Sequence, residues 1–265
     1  SAGSAEGGAR ARAADEAASA ARRKYAGRSA GDSERPGLGC DDPEAEWRVD
    51  FRHYHKCILV TVLERLRFPP GAVVLDWGSG CGHKLSWAAN LYGLDGLGVD
   101  IVGDSVRWAT EHSLGSYCEV DGRFVSWLPD DYFDGTLSYA ALMHLDPADQ
   151  CAVVTELVGK VRIGGKMWFG WNAPEIWQNN SELEARWMLP AKDAWGACFD
   201  QALQADPRWA SGEIAIAWET VEEQYLFPDD KEAIGIYLYL PPAYSLFITR
   251  VPGGRGGQAG ADRGE

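Results

Sequence analysis

The chain has 265 residues, 46% of them apolar, which is enough for one sizeable core and for one decorated domain or at most two. No run approaches the ~20 consecutive apolar residues of a membrane helix, so no membrane span is expected. The formal net charge is −14, and it is concentrated: residues 41–250 hold 16 Lys and Arg against 32 Asp and Glu. A middle this acidic repels phosphate backbones and disfavours a nucleic-acid substrate, leaving a small molecule or a basic protein as the easier partner.

Residues 1–43 begin with a stretch rich in Ala, Gly, Arg and Ser and read as a low-complexity, disordered segment. It lacks the apolar h-region of a secretory signal, and Asp15 and Glu16 argue against a transit peptide. The helix, strand and turn patterns that follow place one domain over 44–252, with a second Gly-rich, disordered tail at 253–265.

A helix is expected from about Glu44 to Leu66, because Phe51, Tyr54, Ile58, Val62 and Leu66 recur at helical spacing until Pro69-Pro70-Gly71. Val73-Val74-Leu75 then reads as a buried strand. The Gly-rich turn Gly78–Gly82 leads to a helix over His83–Tyr92 that Gly93 closes. Leu97–Val99 is a second strand ending at Asp100, and Asp104-Ser105 is positioned to cap a helix over Val106–Glu111. Strands are expected near Tyr117–Val120 and Gly135–Tyr139. Asp146-Pro147 with Asp149 marks a helix start, running to about Val161, where Gly164-Gly165 would stop it. Lys166–Trp171 is a fifth strand. A Trp-rich helical cap is expected over 173–212, and Ala217–Phe227 with Tyr244–Arg250 suggests a closing antiparallel pair. Alternation of this kind predicts an α/β fold: a doubly wound, mostly parallel seven-stranded sheet with an antiparallel C-terminal edge.

The six cysteines (Cys40, Cys57, Cys81, Cys118, Cys151, Cys198) form no C-x-x-C pair and have no histidine cluster nearby. They read as isolated small apolar residues, with neither a zinc site nor a disulfide framework, and fit a reducing, cytoplasmic location.

In open α/β sheets a ligand sits at the carboxyl ends of the strands. Asp76-Trp77-Gly78-Ser79-Gly80-Cys81-Gly82 puts glycines there, where the backbone can take positive φ and approach a ligand, followed by the amide donors of a helix start. As a dinucleotide fingerprint the run fails, because His83 replaces the third glycine of G-x-G-x-x-G; a nicotinamide-dependent oxidoreductase is therefore the weakest reading. Asp100, 22 residues after Gly78, can accept from both hydroxyls of a ribose. Asp121 is as well explained by a turn as by contact with an adenine edge. Ser138–Ala141 are small residues that open space after the fourth strand. His144 follows, either as a helix-start residue packed under a loop or as a base.

Taken together, Val73–Gly82, Gly98-Val99-Asp100, Phe133–Leu145 and Val161–Lys166 resemble, in order and spacing, the motifs of class I S-adenosylmethionine (SAM) dependent methyltransferases of the type 11 branch. Ile163 departs from the usual proline, and Trp77 and Cys81 fall at ordinary variable positions. The resemblance implies SAM as cofactor, with Gly78, Gly80 and Gly82 lining the methionine part and Asp76 holding its amino group. Asp100 would bind the ribose with Ile101 beside it, Asp121 or a neighbour the adenine, and Ser138, Tyr139 and Ala140 would lie near the sulfonium. Tyr54 would help cover the cofactor. His144 and Glu175 are the expected proton acceptors, and no metal is called for. The acceptor would be an O- or N-nucleophile of a small molecule, an amine if the tryptophans and Glu175 of the cap hold a cation. A basic protein substrate and a non-catalytic SAM-fold binding module are the alternatives.

Overall fold

The computed structural model describes residue 40 and residues 46–172, 201–221 and 243–253. The first helix, α1, spans Glu46–Leu66, and from Lys56 onward its side chains are described. Ile58, Val62 and Leu66 are buried as their spacing requires, but Cys57, Leu59, Val60 and Leu63 are buried too. This part of the helix is enclosed on most of its circumference before Glu64 and Arg65 reach the surface.

Seven strands form one sheet: β1 Val73–Trp77, β2 Asp95–Asp100, β3 Ser116–Glu119, β4 Phe133–Tyr139, β5 Val161–Asn172, β6 Ile214–Val221 and β7 Ala243–Arg250. Their spatial order is β3-β2-β1-β4-β5-β7-β6. The first five are parallel; β7 runs antiparallel between β5 and β6. The order reverses between β1 and β4, the crevice where such sheets bind ligands. The connecting helices are α2 (His83–Tyr92), α3 (Gly103–His112) and α4 (Pro147–Lys160), with a short α5 (Pro207–Ala210) before β6.

The sheet has a core on each face. Val73, Leu75, Phe169 and Met167 meet Val154, Leu157 and Val158 of α4 on one side. Val74, Leu137 and Trp168 meet Ile58 and Val62 of α1 and Leu85 and Ala88 of α2 on the other. Residues alternate between faces along each strand, as the two-residue period demands. At β4 the buried carboxylate of Asp134 replaces part of the strand ladder: its Oδ2 accepts from the Val73 amide at 2.8 Å, and its Oδ1 pairs with Arg162. A register irregularity in the β4–β5 pairing falls at this residue.

Two local expectations are corrected. Helix α4 ends at Lys160, and β5 begins at the next residue, so Gly164-Gly165 lies inside β5 and does not stop the helix. Gly164 adopts φ 85, and a Cβ on Gly165 would strike the Asp134 carbonyl at 2.8 Å; both are strand-irregularity roles. Helix α3 starts at Gly103, ahead of Asp104-Ser105, and its N-cap Val102 has no side-chain cap. Instead the Val102 amide donates to Asp100 Oδ1 at 2.9 Å, so the acid closing β2 satisfies the chain entering α3. Asp146, with Pro147 next, does occupy the N-cap position of α4.

The reading of the cysteines is also corrected. Cys40 and Cys81 form a disulfide with Cα atoms 5.7 Å apart, and Cys151 is disulfide-bonded as well. Cys57 and Cys118 are buried and outside any disulfide, as expected. Cys40 and Cys81 are 41 positions apart, and no short spacing motif marks such a pair; only the folded chain brings them within bonding geometry. The argument for a reducing compartment from scattered cysteines therefore falls. No helix among the described residues is long and apolar enough to cross a membrane.

Candidate cofactor site

The site is built on the turn after β1. Gly78, Gly80 and Gly82 all have positive φ (73, 52 and 76), a conformation that a side chain opposes. Their surroundings differ. A Cβ on Gly78 would lie 2.2 Å from the Ala141 Cβ, and one on Gly82 would strike the Tyr117 hydroxyl at 2.5 Å, whereas Gly80 has nothing within 4 Å. Gly78 and Gly82 are thus glycines for packing. Gly80 is the one whose missing side chain leaves open space.

The turn is fixed to β2. The Gly78 and Ser79 amides both donate to the Val99 carbonyl (2.9 and 3.0 Å), and the Gly80 amide donates to Asp100 Oδ2 at 2.8 Å. Asp100 therefore joins the glycine turn to the entry of α3 through its two oxygens. Past the ends of the neighbouring strands β2 and β3, three large apolar side chains are exposed: Ile101, Val102 and Phe124. Exposed apolar surface at a carboxyl edge is what a flat heterocycle can cover.

Asp76 is wholly buried, and burial pushes its pKa up to about 6, against the lowering effect of Lys84. Lys84 Nζ lies 3.2 Å from Asp76 Oδ1 and donates to the Gly78 carbonyl at 3.0 Å. Neither oxygen of Asp76 has a well-directed hydrogen bond. Asp121 is clamped by Arg123, with Nη2 2.6 Å from Oδ2 and Nε 3.0 Å from Oδ1, and these bonds hold its carboxyl below the usual range. Trp77 is buried and donates its indole N–H to the Gly122 carbonyl at 3.0 Å, tying the end of β1 to the loop after β3.

At the end of β4, Ser138 and Tyr139 are both buried; Tyr139 stacks on Trp168 at 5.4 Å. The backbone then bends sharply at Ala140, a non-glycine residue at φ 54 whose amide donates to the Gly170 carbonyl. This bend sets Ala141 over Gly78. His144 stands exposed on the 3-10 turn Leu142–His144, not packed under a loop. Glu175, most of the cap at 173–212 and the tail beyond 253 lie outside the described residues, as does the Tyr54 side chain.

The structure brings together Gly78, Gly80, Gly82, Asp100 and Ala140–Ala141 around the end of β1. Sequence reasoning missed Lys84, Tyr117, Val102 and Phe124, and it treated Trp77 and Cys81 as variable. Lys84 is eight residues from Asp76, a separation that says nothing until α2 folds back on the turn.

A parallel sheet with an antiparallel seventh strand, a glycine turn after β1 and an acid closing β2 define the Rossmann-like class I methyltransferase fold. A family model described as a methyltransferase domain matches residues 75–169. Phosphoethanolamine N-methyltransferase 1 of Zea mays is 29% identical over 109 residues, covering 40% of this chain and 21% of the maize enzyme. The match thus spans about a fifth of that relative. Among solved structures, phosphoethanolamine N-methyltransferase 2 of Haemonchus contortus in complex with S-adenosyl-L-methionine superposes with a TM-score of 0.54 at 15% identity, covering 77% of this chain and 56% of that one. A SAM-dependent methyltransferase of Archaeoglobus fulgidus gives 0.54 at 18% identity, covering 75% and 94%.

Proposed function

We propose that the chain is a SAM-dependent methyltransferase acting on a small-molecule nucleophile, with an amine as the preferred acceptor. The observation that carries the reading is the open side of Gly80, whose amide donates to Asp100 at the end of β2, with Ile101, Val102 and Phe124 exposed past the ends of β2 and β3. These residues fit the cofactor: the turn suits its amino-acid part, Asp100 its ribose and the apolar edge its adenine. Bound there, SAM would supply a methyl group already activated on a sulfonium. The chain's own work is to hold the acceptor in line, where positioning alone can contribute on the order of 7 kcal/mol, and to accept its proton. His144 and Glu175 are the side chains we assign to that last role. The amine preference draws on the N-methyltransferase similarity and on the acidic balance of residues 41–250.

Calorimetric titration with SAM and its demethylated product, S-adenosylhomocysteine, tests the cofactor. The intact protein should bind both, and Asp100→Ala should weaken binding by about tenfold or more, the cost of losing charge-assisted hydrogen bonds. No binding by the intact protein would sink the reading in favour of a non-catalytic module. A panel of amines, phenols and carboxylates then tests the acceptor; methylation of neutral phenols with amines ignored would refute the preference. The acidic charge also favours a second reading, a basic protein acceptor, which basic peptides in the same panel would reveal.

A further inference from the structure

The glycine turn presents one side to the open space beside Gly80 and is gripped from the other. Three of its carbonyls accept from side chains of different segments: Gly78 from Lys84 Nζ at 3.0 Å, Cys81 from Ser113 Oγ at 2.9 Å, and Gly82 from the Tyr117 hydroxyl at 3.0 Å. Tyr117 also reaches the Leu114 carbonyl at 2.7 Å, so a single proton is divided between two acceptors. Lys84 brings three protons and a full charge. Its side chain is 11% exposed and that of Asp76 is 0% exposed, so the ammonium is buried against a carboxylate with no other cation beside it among the described ion pairs. A buried lysine is expensive unless it is paired, and here both its partners belong to the strand end and turn that form the site.

We propose that Lys84 is the positioning residue of the cofactor turn: its ammonium ties the Gly78 carbonyl to the buried Asp76 carboxylate and thereby fixes the left-handed backbone that the cofactor meets. The inference rests on the methyl-donor reading for its binding consequence, and on the turn's geometry alone for its effect on backbone order. The charged and titratable groups facing Asp76 are Lys84 from α2, Asp100 from β2 and Tyr117 from β3. Tyr117 stays neutral, since burial and the Asp76 charge both push its pKa up. Proton uptake by Asp76 as the pH falls through about 6 removes the anchor on which Lys84 pulls.

The test compares the full chain with Lys84→Met, Lys84→Gln and Lys84→Arg. In the free protein, hydrogen exchange at the amides of residues 78–82 should quicken by about tenfold in Lys84→Met and return toward the parent rate in Lys84→Arg. S-adenosylhomocysteine affinity, titrated from about pH 5 to about pH 8, should step down in the parent as pH falls through about 6. In Lys84→Met it should be about tenfold weaker, with the step moved to higher pH, because Asp76 has lost its counter-charge. A residue that only supports the fold would lower the melting temperature without moving that step. If Lys84→Met does not fold, Lys84→Gln, which keeps a donor but no charge, carries the same comparison. Unchanged exchange, or an unmoved step with affinity within about twofold of the parent, overturns the proposal. If the parent binds no S-adenosylhomocysteine, the methyl-donor reading fails while the exchange comparison still decides the role of Lys84.

Discussion

Single atoms separate three glycines that look alike in the sequence. Gly78→Ala would force a Cβ to 2.2 Å from the Ala141 Cβ at φ 73, so it should cost stability on the order of 2 kcal/mol or more, seen as a lower melting temperature. Gly80→Ala meets no neighbour and carries only the conformational cost, about 1 kcal/mol. Its methyl, however, projects into the space assigned to the cofactor, so binding by titration should suffer more than the melting temperature. Equal losses in both measurements for Gly80→Ala would mean that space is not the binding side. Asp76 adds a pH signature. Its pKa is raised from 3.8 to about 6 on folding, so its contribution is most favourable below the lower value and is lost as pH rises through about 6. On the order of 3 kcal/mol is at stake. Chemical denaturation should show stability declining over that window, and Asp76→Asn should flatten the decline.

Among the elements, β4 is the hinge of the design: it pairs with β1 on one side and β5 on the other. Asp134 holds that junction by accepting from the Val73 amide and pairing with Arg162. Asp134→Ala would leave a buried amide unsatisfied and should destabilise the chain by about 1–3 kcal/mol while leaving cofactor affinity of the folded fraction unchanged. Denaturant titration and calorimetry together check this. The elements themselves were readable because strand and helix periods alternate cleanly from Val73 to Trp171, and helix α2 falls on its expected residues, His83–Tyr92. What escaped reading depends on partners distant in sequence. Gly164-Gly165 follows a helical pattern and so looks like a stop, yet β5 runs through it where its pairing with β4 shifts register. Asp104 resembles a cap, yet Asp100 takes the amide that precedes it. At the site, the glycines and Asp100 were legible because backbone geometry dictates them, whereas Lys84 and Tyr117 act on carbonyls that any sequence possesses.

Across the whole molecule, the disulfide joins Cys40, ahead of α1, to the middle of the glycine turn. In the chain-entropy view, closing a loop with 41 residues of separation restricts the unfolded chain by up to about 4 kcal/mol. On chemical denaturation Cys40→Ser should be less stable than the parent by a sizeable part of that amount, and a dithiol reductant, which also cleaves the bond at Cys151, should lower stability by at least as much. Identical stability would show that the cross-link does not form in solution. The charge balance acts at the same scale without shaping the fold: an acidic middle draws cations by long-range attraction, so binding of a cationic acceptor should weaken with added salt.

Cys81 stands between Gly80 and Gly82, in the segment the cofactor would touch. Once the bond to Cys40 is reduced, its sulfur becomes a built-in reporter needing no engineered label. An alkylating reagent would mark it at a rate that falls as the pocket fills, so occupancy could be read by mass spectrometry from one peptide. The same sulfur also dictates handling: protein prepared in reductant and protein prepared in air are two chemical species, differing at the residue most exposed to the question being asked.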